Sequence, residues 1–219
     1  MSPPALALVH GWSFDARFWD GMLACLPGWT AWRLDPLAVP LAGFPPDPVS
    51  PWLAVGHSLG GLALLRAWGA AAPPGLVGVM LINGFTRLLA DAPHSAGVDP
   101  RKLETMRWGV RRDASRQVAR FQQQAGWEMP GLTTSLVSAQ LEAGLALMAT
   151  GDVREIWGRL TLPRRVLAAR DDAIVAAAWT EALFDAPHVV WCEDGGHCLP
   201  CTRPRWCARQ LQDFAGDCP

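Results

Sequence analysis

The stretch Ala54-Val55-Gly56-His57-Ser58-Leu59-Gly60-Gly61 decides the fold. An apolar strand runs into a Gly-x-Ser-x-Gly turn and a helix starts at once. Glycines at 56 and 60 let the chain reverse where a side chain would collide, which stands the serine oxygen at the edge of a sheet. The N-terminus of the following helix also aims main-chain N–H groups at whatever is bonded to Ser58. An ordinary glycine-rich strand-to-helix turn is the other reading. The partners available to Ser58 elsewhere in the chain decide between them.

Around this centre the chain alternates strands and helices. Ala5-Leu6-Ala7-Leu8-Val9 is an unbroken apolar run, the mark of a strand buried on both faces of a parallel sheet, and it ends at His10-Gly11-Trp12. Asp15 is placed to cap a helix over 16–26, in which Phe18, Met22 and Leu26 share one side. Trp29 to Leu34 reads as the second strand. Prolines 36, 40, 45, 46 and 48 exclude a regular helix before the third strand at 51–56. A helix over 59–72 follows Ser58, and Leu76 to Asn83 is a further apolar strand.

From 86 to 158 the strand pattern stops. Helical spacing appears instead in Leu103 to Gln124 and Leu132 to Ala149, the latter with Leu136, Ala139, Ala143 and Leu147 near one face. Strands resume at 165–169 and 189–191, and a helix over 205–214 closes the chain. This organisation predicts a parallel α/β sheet, with 1–85 and 159–219 forming the core and 86–158 inserted as a helical cap above the edge where Ser58 stands.

A serine hydroxyl becomes nucleophilic only when a base takes its proton and a third group holds the base. Residues in the order Ser, Asp, His are present at suitable places. Arg170-Asp171-Asp172-Ala173-Ile174-Val175 follows the strand at 165–169, and Gly195-Gly196-His197 follows the strand at 189–191. Of the acids, Asp172 is favoured by resemblance to hydrolases with this chain order, which usually place the acid two residues before an Ile/Val-Val pair, here Ile174-Val175. Asp171 reads as a turn residue and Asp194 as a third candidate. His197 is the expected base, while His10, His57, His94 and His188 receive structural readings. The main-chain N–H groups of Trp12 and Leu59 are the expected oxyanion donors, and the Trp12 indole either walls the acyl pocket or packs in the core.

Composition narrows the classes. The 219 residues suit one domain, and half of them are apolar with a formal charge of −1, which points to neither disorder nor nucleic-acid binding. The N-terminus lacks the basic region of a signal peptide, so a soluble cytoplasmic protein with no membrane association is expected, acting as a monomer. Twelve Trp, no Tyr and a single lysine, Lys102, read as genome composition. Cysteines at 25, 192, 198, 201, 207 and 218 include one C-x-x-C pair, Cys198 to Cys201. With His197 engaged elsewhere that spacing is a weak metal signal, and neither metal nor cofactor is expected.

With these residues in place, the chain resembles the α/β-hydrolase carboxylesterases that cleave the methyl ester of pimeloyl-acyl-carrier protein in biotin synthesis. His10-Gly11-Trp12 is similar to that family's oxyanion segment and Ser58-Leu59-Gly60-Gly61 to its nucleophile turn. Arg116-x-x-x-Arg120-Phe121 resembles its cap segment, and Leu141 to Leu145, Asp152 and Leu160-x-x-Pro163 the segment leading out of the cap. The resemblance implies an α/β-hydrolase fold, an acyl-carrier protein as partner, arginines that meet it, and Phe121 lining the acyl channel. Two departures stand out: the proline-rich stretch replaces a helix, and the cap after Phe121 is short.

Charge gives the cap an independent reading. Residues 101–120 hold seven basic and two acidic side chains, a net of +5 within a chain of −1. Arg112, Arg116 and Arg120 recur every four residues, which in a continuous helix stacks three guanidiniums on one face suited to phosphates or an acidic helix. A solvated charged face is the alternative. Other functions compatible with the same core are hydrolysis of a small free ester or lactone and binding without turnover.

Overall fold

The computed structural model describes residues 3–38, 50–68, 71–91, 96–127 and 138–219. Six strands form one sheet: β1 (Ala5–Val9), β2 (Ala31–Leu34), β3 (Trp52–His57), β4 (Leu76–Ile82), β5 (Arg164–Ala169) and β6 (Val189–Cys192). Every neighbouring pair is parallel, in the order β2-β1-β3-β4-β5-β6. The apolar runs explain the layout. All six residues of β3 are buried, as are six of the seven in β4, so both sheet faces are covered by helices. Each fully buried Leu or Ile in these strands contributes ~1.5–3 kcal/mol.

The chain moves from β1 outward to β2, then returns across β1 to β3 and continues the other way. That reversal leaves a crevice beyond the carboxyl ends of β1 and β3, where Val9 pairs with Gly56. The turn after β3 and the loop after β1 therefore meet there. The loops after β4, β5 and β6 lie along the same edge, because Ile82 is in register with Leu167 and Ala169 with Cys192.

The helices are α1 (Asp20–Leu23), α2 (Leu59–Trp68), α3 (Pro100–Gln124), α4 (Ser138–Thr150), α5 (Arg154–Arg159), α6 (Ala177–Leu183), α7 (Leu199–Thr202) and α8 (Pro204–Gly216). The single helix expected over 16–26 is instead a 3-10 turn at Ala16–Trp19 followed by the short α1. Asp15 does cap that turn, accepting the Arg17 N–H at 2.8 Å, and Phe18, Met22 and Leu26 are buried as the spacing implied. Most of the proline-rich stretch, His94, and the first part of the helical window that starts at Leu132 lie outside the described residues.

Between β4 and β5 the described residues form no named strand, only isolated bridges of Arg87 with Asp152 and Leu89 with Val98. α3 packs on α4, and α4 and α5 pack on α2. Where this helical segment leaves and rejoins the sheet, Arg87 and Arg154 both pair with Asp91 and Asp152, at 2.6 to 3.4 Å. Among the described residues no helix is long and apolar enough to cross a membrane.

Candidate active site

Ser58 occupies the sharp turn between β3 and α2 with φ at 51°, in the left-handed region that a side-chain-bearing residue enters at a cost of ~1–3 kcal/mol. The surroundings hold it there. A Cβ on Gly56 would lie 2.4 Å from the Gly61 Cα, and one on Gly60 only 2.1 Å from the Val9 carbonyl oxygen. Only glycine fits at either position, so α2 is pressed against β1 and β3 at this point. The Ser58 N–H donates to the Ile82 carbonyl at 3.1 Å and its carbonyl accepts the Gly61 N–H at 3.0 Å.

The structure brings His197 and Asp172 to this serine. His197 Nε2 lies 3.0 Å from Ser58 Oγ, and His197 Nδ1 lies 2.8 Å from Asp172 Oδ2. Asp172 Oδ1 accepts the N–H groups of Ile174 at 2.8 Å and Val175 at 2.9 Å, and Oδ2 also accepts Asn83 Nδ2 at 2.9 Å. Four hydrogen bonds thus fix a carboxylate that is almost fully buried. With Nδ1–H directed at Asp172, the lone pair of Nε2 faces the serine hydroxyl, the arrangement a general base needs.

The remaining sequence candidates separate cleanly. Asp194 is exposed and engaged by Arg203, whose Nε is 3.0 Å from Oδ1; that guanidinium holds the carboxyl below its usual range. His57 is wholly buried and donates from Nε2 to the His197 carbonyl at 2.8 Å. His10 is buried against Gly11, and burial pushes both rings below the ordinary histidine value. His188 accepts from Arg164 Nε at 3.2 Å. Asp171 is more than a turn residue: its carboxylate accepts the N–H groups of Gly195 at 3.2 Å and Gly196 at 2.8 Å. Asn83, directly after β4 with φ at 45°, was not singled out from sequence. A polar residue ending an otherwise apolar strand was its only mark.

The loop carrying Trp12 lies against the nucleophile, since a Cβ on Gly11 would stand 3.1 Å from the Ser58 Cβ. Leu59 begins α2, where an N–H has no carbonyl of its own helix to bond. The Trp12 indole is buried: Nε1 donates to the Leu141 carbonyl at 2.9 Å, and the ring meets Phe121 edge-on at 5.0 Å. It forms a wall shared by α3 and α4.

Ser58 opens into a cavity of about 270 Å³ lined by Phe85, Leu88, Leu103, Met106, Phe121 and Met148, with Lys102 and Arg120 among its polar members. A second cavity of about 510 Å³ is lined by Trp108, Arg112, Asp113, Arg116 and Arg120. Thr105, Gln117 and Arg120 border both. The continuous arginine face expected along one helix does not form. Asp113 breaks α3 with φ −161° and ψ 90°, and its Oδ1 accepts the Arg116 N–H at 3.0 Å, which starts a second helical arm. The arms fold together so closely that a Cβ on Gly109 would be 2.2 Å from Gln117 Oε1. The three arginines consequently line one concave surface rather than one helix face. Among the described residues no carboxylate pairs with any of them, whereas Arg111 pairs with Glu142 at 3.1 Å and Arg107 with Glu104 at 3.0 Å. Arg112 lies 5.3 Å over the exposed Trp108 ring.

The six cysteines are free thiols, and burial pushes Cys198, Cys201 and Cys207 far above the ordinary value, which makes them poor nucleophiles. Among the described residues no group of three or more His, Cys, Asp or Glu side chains is arranged to hold a metal ion.

No protein-family model matches the chain. It is 26% identical over 234 residues to a pimeloyl-acyl-carrier-protein methyl ester esterase of Methylococcus capsulatus, covering 88% of this chain and 90% of the relative. A protein of the same name from Xylella fastidiosa is 28% identical over 255 residues, covering 99% and 96%. Among solved structures, a bromoperoxidase from Bacillus anthracis superposes with a TM-score of 0.83 at 18% identity, covering 98% of this chain and 92% of that one. An esterase from Exiguobacterium antarcticum gives 0.81 at 12%, with coverage of 98% and 92%. The chain has the α/β-hydrolase fold, and over most of its length its sequence resembles the pimeloyl-acyl-carrier-protein methyl ester esterases.

Proposed function

We propose that this α/β-hydrolase-fold protein is a serine carboxylesterase that converts the methyl ester of pimeloyl-acyl-carrier protein to pimeloyl-acyl-carrier protein and methanol. The observation that carries the reading is the hydrogen-bonded chain Ser58–His197–Asp172 at the floor of an apolar cavity that abuts an arginine-lined one.

In this reading Ser58 Oγ attacks the ester carbonyl while His197 Nε2 takes its proton. Asp172 holds the imidazole and stabilises the imidazolium that forms. The developing oxyanion is received by the main-chain N–H groups of Trp12 and Leu59, each such donor supplying roughly 3–4 kcal/mol of transition-state stabilisation. His197 returns the proton to the leaving methoxide, and methanol departs. Water, deprotonated by the same imidazole, then attacks the acyl-serine ester and regenerates Ser58.

Substrate binding follows from the two cavities. The aliphatic chain lies against Phe85, Leu103, Met106 and Phe121, where each buried CH₂ contributes about 0.8 kcal/mol. The helical segment 86–158 acts as the cap that supplies most of this lining. Arg112, Arg116 and Arg120, which have no carboxylate partner among the described residues, meet the anionic carrier beyond it. Mass spectrometry of methyl pimeloyl-acyl-carrier protein incubated with the protein tests the proposal. A loss of one methyl group that requires Ser58 supports it, and demethylation by Ser58→Ala at the unaltered rate refutes it.

A further inference from the structure

Gly195 and Gly196, which precede His197, have φ of 133° and 63°. Two adjacent glycines in such conformations have little rigidity of their own, so something else must hold the base in place. The surrounding side chains do so group by group. Asp171 accepts the N–H groups of Gly195 and Gly196 through its two oxygens, at 3.2 and 2.8 Å. Thr202 Oγ1 donates to the Gly195 carbonyl at 2.7 Å, Asn83 Nδ2 reaches the Gly196 carbonyl at 3.3 Å, and His57 Nε2 donates to the His197 carbonyl at 2.8 Å.

The sources of these bonds are as informative as their number. His57 is the chain neighbour of the nucleophile and Asp171 the chain neighbour of the acid. Each of the two residues that hydrogen-bond the imidazole is therefore directly preceded by one that grips the backbone carrying it. A shift of either turn would move the imidazole with it, which preserves the two short distances on which proton transfer depends.

We propose that Asp171 is a positioning residue for His197, the outer anchor of this clamp. The inference rests on the reading of His197 as the general base. Asp171 is exposed and lies outside the core, so its replacement removes the anchor without opening a cavity. Asp171→Ala is expected to lower kcat by about 10- to 100-fold, with KM changed by less than about twofold and the thermal midpoint nearly unchanged. The rate at which Ser58 is labelled by a fluorophosphonate should fall by the same factor, because that reaction needs the same imidazole. Asp171→Asn, which keeps one acceptor oxygen of the same shape, should recover part of the loss, and it serves as the test variant if Asp171→Ala does not fold.

Wild-type kcat and labelling in a folded Asp171→Ala protein would overturn the clamp. So would a loss of kcat that merely tracks a loss of folded protein and is not recovered by Asp171→Asn. His197→Ala, measured alongside, separates the two readings: full labelling without the imidazole sinks the base assignment itself, whereas dependence on His197 with indifference to Asp171 sinks only the clamp.

Discussion

His197 Nε2 stands 3.0 Å from Ser58 Oγ although 139 positions separate the two residues in the chain. No step of the proposed chemistry is possible without that contact. Replacing Ser58 with Ala is expected to reduce ester hydrolysis on the order of 10⁴-fold or more, and Asp172→Asn by a similar factor. The Asn variant keeps the shape of the carboxylate but presents an amide to Nδ1, so the ring loses the tautomer that faces Ser58. Steady-state rates on a methyl ester check both. An Asp172→Asn enzyme within tenfold of wild type would remove Asp172 from the mechanism.

Much of this site was legible in the sequence because the fold places it at strand ends. Strands buried on both faces must be apolar throughout, so β1, β3 and β4 stand out, and the shorter apolar runs of β5 and β6 can be read beside them; Ser58, Asp172 and His197 lie just beyond β3, β5 and β6. What was not legible depends on contacts between distant turns. Asn83 and Asp171 act on residues that only the strand order brings near, and no local pattern distinguishes them from ordinary turn residues. The bend at Asp113 was hidden for a different reason. Leu103, Val110, Val118 and Phe121 are all buried, so the helical period survives on both sides of a residue whose side chain starts a new helix. Local capping won over continuity there.

Acid should destabilise the fold before the carboxylates titrate. Burial pushes His57 well below the ordinary value of 6.5, with the His197 ring acting in the same direction, and burial likewise lowers His10. The folded state therefore binds protons on both rings more weakly than the unfolded chain, which takes them up below about pH 6.5. Stability is then complete above that pH and is lost as pH falls below it, by at most about 1.4 kcal/mol per pH unit for each ring. Urea unfolding at pH 8, 6 and 5 measures this, and His57→Gln should roughly halve the slope. Stability independent of pH down to 5 would contradict it.

Gly144 lets α4 lie flush on the residues expected to form the oxyanion hole. A Cβ there would stand 2.7 Å from Trp12 Cδ1 and 3.2 Å from Leu59 Cδ2. Gly144→Val must therefore push the helix away from Trp12 and stretch the bond from its indole to Leu141. A loss of about 1–3 kcal/mol in stability is expected, with kcat falling alongside it. Chemical denaturation and turnover on one preparation check the pair. Wild-type values for both would show that α4 has room to move that the packing denies.

The arginine-lined cavity makes the most discriminating prediction about substrate. Residues 101–120 carry a net charge of +5, and the bend at Asp113 turns Arg112 and Arg116 toward one concavity next to the acyl cavity. An acidic carrier should be drawn there, while a free methyl ester has no charge for these groups to attract. With Arg112→Glu/Arg116→Glu, the ratio of kcat/KM for the carrier-bound ester to that for the free ester should fall by about 10- to 100-fold at low salt. Wild type should approach the variant's ratio as salt rises, because exposed charges are screened within about 10 Å at 0.1 M. A ratio near one in wild type, indifferent to charge reversal and to salt, would detach the cavity from the substrate. Ser58 would then still mark an ester hydrolase, acting on a small free ester whose recognition ends at Phe121 and the apolar wall.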